Sequence, residues 1–169
     1  MPSISEQKRE SLTLDATDLQ ILEHLQRDAS VTNQQLAQQV FTSPPTCLRR
    51  VKRLKDAGVI ERQIAILNPD LLAPLTGHGL TAIVEVTLDR QDTMRLEDFE
   101  ARVRADDAVQ QCYRVSPGPD FVLVVFARDM PGYLALSQRL FSEDANVRNV
   151  KAFFSVKRSK FQPGFRVAV

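Results

Sequence analysis

The sequence feature that most restricts the fold is a short basic run with apolar residues at helical spacing. Five of the seven residues from Arg49 to Lys55 are basic, and apolar residues recur at steps of three from the position directly before this run: Leu48, Val51 and Leu54. Residues three or four positions apart share one face of an α-helix. The spacing therefore predicts a helix with a buried apolar edge and a cationic outer face.

A second, shorter helix is predicted directly upstream. Thr32 can cap its first turn, and apolar residues recur at helical spacing between Leu36 and Val40. After a break of about three residues, Ser43 can cap the basic helix, and Pro44 suits its first turn because the N–H that proline lacks would have no partner there. Two such helices, with the second one basic, are typical of a helix-turn-helix that places its second helix in the DNA major groove.

A first helix and a wing are predicted on either side of this pair. The Asp15 carboxylate can cap a helix that runs to about Arg27. Its buried face is predicted to consist of Leu19, Ile21, Leu22 and Leu25. Gly58 suits the end of the basic helix, and short extended segments over residues 59–67 are predicted to form a small wing before Asn68 and the following proline.

The remainder of the chain alternates between strand and helix patterns. Strands are predicted at residues 80–88, 109–115, 121–127 and 147–157, and helices at residues 93–105 and 131–141. The buried face of the helix at residues 93–105 is predicted to consist of Leu96, Phe99 and Val103. That of the helix at residues 131–141 is predicted to consist of Leu134, Leu136 and Leu140. This order is the split, ferredoxin-like arrangement. We therefore predict an α+β protein with an N-terminal winged helix-turn-helix domain and a C-terminal ferredoxin-like βαββαβ domain.

The same patterns predict the domain limits. They give a flexible leader over residues 1–13, the helix-turn-helix domain over 14–67, a linker over 68–79, the ferredoxin-like domain over 80–160 and a tail over 161–169.

The distribution of charge indicates nucleic acid more clearly than its sum. The net charge is only +1, with nine basic against eight acidic residues in positions 1–62 and thirteen of each thereafter. The cationic field is therefore confined to one helix. The alternative is that this run is only the solvated face of a helix. A salt titration of DNA binding separates the two interpretations.

Several classes of protein are disfavoured by composition. Two cysteines without a CxxC pair, and only two histidines, favour neither a disulfide framework nor a zinc site. Cys47 is interpreted as a small packed residue, with a redox switch as the alternative. We find no catalytic constellation, apolar span or signal-peptide core. We therefore predict a cytoplasmic protein that is not an enzyme, with no metal, no cofactor and no membrane partner.

Four segments resemble the Lrp/AsnC family of bacterial and archaeal transcription regulators. They are residues 14–22, 43–54, 57–60 and 67–69, and the similarity extends over about residues 14–160, with a further match in the segment that begins Val115-Ser-Pro-Gly-Pro-Asp. The resemblance implies a winged helix-turn-helix joined to a ferredoxin-like domain that senses ligands. It also implies a homodimer that can assemble into a tetramer or octamer on double-stranded DNA, with an amino acid as effector between subunits.

The resemblance and the helix pattern together give two sets of candidate residues. The predicted DNA contacts are Thr32, Gln34, Ser43, Pro45, Thr46, Arg49, Arg50, Lys52 and Arg53. Arg49 and Arg50 are expected to read bases or phosphates, and the later cations to neutralise the backbone. The predicted ligand-binding turn is Ser116, Pro117, Gly118, Pro119 and Asp120.

The chain departs from the family pattern at two positions. Pro117 stands where the family has glycine, so one backbone donor to an amino-acid carboxylate is missing, although Gly118 permits close approach and Asp120 can hold an ammonium group. The alternative is a tight turn with a conformational role only. Phe41 stands where the helix-turn-helix commonly has glycine, so a positive φ there would strain it.

The sequence therefore predicts a sequence-specific DNA-binding transcription regulator whose dimerising C-terminal domain binds an amino acid or a related effector. The alternative is an architectural protein that wraps DNA without an effector. An enzyme built on the ferredoxin-like domain would need a catalytic constellation that the sequence does not offer.

Overall fold

The computed structural model describes residues 13–167, apart from the side chain of Asp70. The predicted leader over residues 1–13 lies almost entirely outside this range. The chain forms two compact units. The first comprises the residues up to Ile66 together with those from Phe161 onward, and the second comprises Leu67–Lys160.

Between residues 13 and 66 the first unit contains three helices, and they lie where their capping residues predict. They are α1 (Ala16–Arg27), α2 (Asn33–Gln39) and α3 (Pro44–Asp56). Asp15 and Thr32 both form capping boxes, in which the side chain accepts a backbone N–H three residues on and its own backbone N–H is satisfied in return. The small core consists of Ile21, Leu36, Ala37, Val40, Cys47 and Leu54.

The predicted apolar edge of α3 is correct at one end only. Leu54 is fully buried, Val51 is half-buried and Leu48 is 60% exposed. A full turn needs 3.6 residues, so residues at steps of three drift progressively around the helix. Cys47, next to Leu48 in the chain, faces the core in its place.

The predicted wing forms no β-strand. Residues 59–68 contain no assigned strand, and every strand pair among residues 13–167 lies in the second unit. An extended segment becomes a strand only when a neighbour accepts its backbone hydrogen bonds. The segment is held instead by the Ile60 N–H, which donates to the Leu54 carbonyl at 3.2 Å, and by Lys55 Nζ, which donates to Gln63 Oε1 at 2.7 Å.

The second unit has the predicted ferredoxin-like order. After α4 (Pro69–Thr76), its elements are β1 (Leu80–Leu88), α5 (Thr93–Arg104), β2 (Val109–Arg114), β3 (Phe121–Ala127), α6 (Met130–Ser137), a π-helical turn (Gln138–Ser142) and β4 (Val147–Phe154). The strands form one antiparallel sheet in the order β2-β3-β1-β4. The last strand ends three residues before the predicted Lys157.

One face of this sheet packs against α5, α6 and the π-helical turn to form the larger core. The alternating residues Ala82, Val84, Val86 and Leu88 of β1 are buried against Phe99 and Val103 of α5. On α6 the prediction is wrong at Leu134, which is 60% exposed, while Leu136 and Leu140 are buried. Residues two apart on a helix point to nearly opposite sides, so Leu134 and Leu136 cannot share a face.

The other face of the sheet is exposed and partly apolar. Ile83 lies between Val124 of β3 and Phe153 of β4 in the register of the sheet. Exposed large apolar residues on this face are Ile83, Phe126, Phe153 and Tyr113. No helix among residues 13–167 is long and apolar enough to cross a membrane.

The C-terminal segment returns to the first unit. The Phe165 N–H donates to Gln26 Oε1 at 2.9 Å, and the Val167 N–H donates to Glu23 Oε2 at 3.4 Å. The Arg27 guanidinium, followed by the Val167 N–H, lowers the pKa of Glu23. The segment is thereby attached to the exposed side of α1.

Candidate nucleic-acid interface

The turn between α2 and α3 fixes where the basic helix begins. The Asn33 side-chain amide donates to the Pro44 carbonyl at 2.8 Å, and the Thr42 N–H donates to the Ala37 carbonyl at 2.9 Å. The first bond joins the first residue of α2 to the first residue of α3, and the second holds the turn against the last part of α2. Sequence reasoning missed Asn33, because its partner is a backbone carbonyl eleven positions away.

Two of the predicted DNA contacts form an ion-pair cluster inside the unit. Arg50 Nη1 donates to Asp15 Oδ2 at 2.7 Å and to Asp18 Oδ1 at 2.8 Å. Arg53 Nη2 donates to Asp18 Oδ2, so both oxygens of Asp18 are occupied. Asp18 is fully buried, whereas the side chains of Arg50 and Arg53 are 24% and 44% exposed. Asp18, followed by Asp15, raises the pKa of Arg50.

This cluster divides the cations of α3 into two groups. Arg50 and Arg53 attach the helix to α1, and Lys55 donates to Gln63. Arg49 and Lys52 are exposed and form no ion pair with any residue from 13 to 167. The free positive charge on the outer face of α3 is therefore smaller than the basic run implies.

Asp18 is the residue that sequence reasoning missed in this cluster. The sequence indicates in part that Asp18 is buried, because it lies three positions after the Asp15 cap and three before the buried Ile21. A carboxylate on the buried side of a helix needs a cationic partner. Only the fold shows that Arg50 and Arg53 supply it.

The polar candidates occupy the ends of the helices. The Thr32 hydroxyl caps α2, accepting the Gln35 N–H at 3.2 Å, and Gln34 in the first turn is exposed. Ser43 stands at the start of α3 as predicted, but its hydroxyl donates to Thr46 Oγ1 at 2.8 Å and forms no capping bond. Pro45 is exposed. The structure thus groups Ser43, Pro45 and Thr46 at the tip of α3.

Phe41 has an unusual conformation just before this tip. Its φ is +52°, and its side chain is 94% exposed. The left-handed region suits glycine and strains a bulky residue. The predicted conflict at this position is therefore present in the turn, and no buried contact of the ring offsets it.

Cys47 packs as a small core residue. It is fully buried, and burial raises the pKa of its thiol. A buried thiol with a raised pKa is a poor nucleophile at neutral pH. The structure therefore favours the packing interpretation of Cys47 over the redox switch.

The predicted ligand-binding turn connects β2 to β3. Its backbone is closed by the Val115 N–H, which donates to the Asp120 carbonyl at 3.0 Å, and Asp120 Oδ2 accepts the Leu88 N–H at 2.7 Å. Gly118 has a φ of +121°, and a Cβ there would meet no atom within 4 Å. Residues 116–118 are exposed, and Asp120 uses one of its two carboxylate oxygens for the bond to Leu88.

A shallow cavity of about 200 Å³ lies elsewhere in this unit, beside the π-helical turn. It is lined by Ser137, Phe141, Ser142, Val147, Arg148, Asn149 and Val150, and includes no residue of the predicted turn. Among residues 13–167, no group of three or more His, Cys, Asp or Glu side chains is placed to hold a metal ion.

Two known families match the chain, one over its N-terminal part and one over its C-terminal part. Residues 14–61 match the winged helix-turn-helix DNA-binding family, and residues 81–165 match the Lrp/AsnC ligand binding domain. Among curated relatives, a leucine-responsive regulatory protein of Haemophilus influenzae is 41% identical, over 77% of this chain and 76% of its own length. An uncharacterized HTH-type transcriptional regulator of the same organism is 35% identical, over 90% of this chain and 88% of its own.

Solved structures give the same result. The complex of a transcriptional regulator from Neisseria meningitidis with L-methionine has a TM-score of 0.76 and 32% identity, covering 90% of this chain and 96% of that one. An AsnC family regulator from Agrobacterium tumefaciens has a TM-score of 0.76 and 28% identity over the same shares. With this order of elements and these relatives, the chain belongs to the Lrp/AsnC family of DNA-binding transcriptional regulators, which are not enzymes.

Proposed function

We propose that this regulator binds specific DNA sequences by placing the N-terminal half of α3 in the major groove. The observation that carries the proposal is the pair of exposed cations Arg49 and Lys52, which lie on the outer face of α3 while Arg50 and Arg53 hold that helix against α1. Arginine reads guanine edges, and lysine neutralises phosphates. A recognition helix with a fixed orientation and free outer cations can do both.

Selection from a pool of randomised duplexes tests this proposal. The chain is expected to enrich a defined motif, and its affinity for that motif is expected to fall with salt, each phosphate contact contributing about 0.9 to the slope of log affinity against log salt. Enrichment of no motif, or binding that salt does not change, would overturn it. A long protected footprint with strong bending and no motif would favour the architectural alternative.

We infer that the effector is an amino acid held at the turn of residues 116–120. The second oxygen of Asp120 suits an ammonium group, and Gly118 leaves room for close approach. The complex of the Neisseria meningitidis regulator with L-methionine supports this class of ligand. Pro117 lacks an N–H, so the carboxylate of the ligand must be bound by other donors.

Two variants of Asp120 separate ligand binding from a conformational role. Asp120→Asn keeps an oxygen that can accept the Leu88 N–H but loses the charge, whereas Asp120→Ala loses both. If the carboxylate binds an ammonium group, titration calorimetry should detect no heat of amino-acid binding in either variant. Only the alanine variant should also have a lower free energy of unfolding. A wild-type chain that responds to none of the twenty amino acids at millimolar concentration would contradict the proposal.

We propose that the open face of the sheet is covered by a second copy of the chain. Ile83 on the inner strand β1 and its register partner Phe153 on the edge strand β4 are both exposed, and Glu85 is paired with Lys151 two residues further along β1. Contiguous apolar surface of this kind marks protein contacts. A two-fold dimer would present two α3 helices to half-sites about 34 Å apart.

Sedimentation of matched variants tests this interface. Phe153→Glu places a charge on the open face and is expected to yield monomers. Leu134→Glu places the same charge on a similarly exposed apolar position of α6, on the helical side of the sheet, and is expected to leave the assembly unchanged. Dimers of unchanged affinity in the Phe153 variant would refute the proposed face.

Effector binding would act on DNA affinity through assembly. A ligand shifts such an equilibrium only by the difference in its affinity for the two arrangements. We therefore propose that the protein couples effector binding to DNA binding. It is proposed to act in the cytoplasm, where the chromosome lies.

A further inference from the structure

Leu48 lies on the same outer face of α3 as the two free cations. It is 60% exposed, and it precedes Arg49 by one position and Lys52 by four. Residues four apart on a helix are neighbours on its surface. Pro45, three positions before Leu48, is exposed on the same side. The half of this face nearest the tip of the helix is therefore apolar, and the half beyond it is cationic.

The composition of α3 limits which bases it can read directly. The segment Pro44–Asp56 contains no Asn, Gln or Glu, so it lacks the amide side chains that pair with adenine. Its one acidic residue, Asp56, is the last residue of the helix, remote from the tip. On the outer face, Arg49 and Lys52 can donate to guanine, and an apolar side chain can contact the C5 methyl group of thymine. The hydroxyl of Thr46 at the tip can bond to more than one base and therefore discriminates less.

We propose that Leu48 determines specificity by packing against the methyl group of a thymine in the major groove. The proposal rests on the DNA-binding function proposed above and names the base that this position selects. A methyl group removed from water by such a contact is worth about fourfold in affinity. Leu48 would thus add sequence information that a contact of Lys52 with a phosphate does not carry.

Replacing thymine by deoxyuridine tests this contact, because the exchange removes only the methyl group and leaves base pairing intact. A duplex obtained by selection is prepared with each thymine exchanged in turn. The wild-type chain is expected to bind about fourfold more weakly when the contacted position carries deoxyuridine. Leu48→Ala is expected to bind the thymine and deoxyuridine forms of that duplex equally.

Lys52→Ala provides the matched control, because it lies on the same face and has no apolar contact to lose. It is expected to weaken both duplexes and to retain the fourfold ratio. Since Leu48 and Lys52 are both exposed, neither change removes a core contact, and circular dichroism verifies that both variants are folded.

Three results would overturn the proposal. A Leu48→Ala variant that retains the wild-type ratio would assign the methyl contact to another residue. A wild-type chain insensitive to every exchange, or selected duplexes without thymine in the footprint, would show that no methyl group is read while leaving DNA binding intact. Failure to select any duplex would instead refute the DNA-binding function, and the role of Leu48 with it.

Discussion

The buried carboxylate of Asp18 on α1 accepts a 2.8 Å hydrogen bond from the guanidinium of Arg50 on α3. Arg53 donates to the other oxygen of the same carboxylate. One acidic side chain therefore binds two arginines that lie almost one helical turn apart on the basic helix. The orientation of α3 depends on this cluster as well as on apolar packing.

Neutralising Asp18 is expected to destabilise the first unit. Asp18→Asn keeps the shape of the side chain and removes its charge, so two arginines lose their shared partner. Because Arg50 and Arg53 are partly exposed, we expect a loss of about 2 to 3 kcal/mol in the free energy of unfolding, below the value for a fully buried pair. Urea denaturation measures it. The control is Glu61→Gln, which removes an ion pair with Arg62 in which both side chains are exposed. It is expected to cost less than about 0.5 kcal/mol.

Alanine substitutions of the neighbouring residues Arg49 and Arg50 are expected to change different properties, DNA binding for Arg49 and stability for Arg50. Arg49→Ala removes an exposed free cation, so the slope of log affinity against log salt should fall by about 0.9 while stability is unchanged. Arg50→Ala removes the partner of Asp15 and Asp18 and should lower stability. Salt titrations and thermal melts of both variants check this. An equal change in slope for the two would show that Arg50 leaves its carboxylates to bind DNA.

Replacing Phe41 by glycine is expected to stabilise the protein. Glycine adopts the φ of +52° without strain, and the ring of Phe41 has almost no contact to lose. After the greater entropy of glycine in the unfolded chain is deducted, the gain should be about 0.5 to 1 kcal/mol. Gly58→Ala is the reciprocal variant, because Gly58 has a φ of +74° with free space around it, and it should lose about 1 kcal/mol. A loss of stability in Phe41→Gly would reveal a contact of the ring that offsets the strain.

Acid is expected to weaken the attachment of α1 to α3 through Asp15. The backbone N–H of Asp18, followed by Arg50, lowers the pKa of Asp15 below its ordinary value of 3.8. Since the folded-state pKa is the lower one, the stability that Asp15 contributes is present above about pH 4 and is lost as the pH falls through the folded value. Unfolding by urea as a function of pH should therefore show a smaller loss on acidification in Asp15→Asn than in the wild type. Parallel curves for the two proteins would contradict this.

Local signals in the sequence predict most of the fold. The caps at Asp15 and Thr32, and the alternation along β1, each depend on residues within one element, and the structure confirms them. The two errors in buried faces, Leu48 and Leu134, arise from spacings of three and two that do not match the period of a helix. The predicted wing forms no strand, because a strand needs a neighbouring strand as its hydrogen-bond partner. The pattern within a single segment does not show whether that partner exists.

The candidate site was less accessible to sequence reasoning. A run of basic residues gives a count of charges but not their partners, and Asp18 lies 32 residues from Arg50 and 35 from Arg53. Only the packing of α1 against α3 separates the anchored arginines from the free Arg49. The DNA contacts and the turn of residues 116–120 stay predictions, since they depend on ligands outside the chain.

The return of the C-terminal segment to α1 has a consequence for synthesis. The residues that donate to Gln26 and Glu23 are translated only after the whole of Leu67–Lys160. At ~5 to 20 residues per second, that delay is roughly 5 to 20 s. The helix-turn-helix therefore leaves the ribosome with one side of α1 uncovered, and a nascent chain acquires its complete DNA-binding unit last.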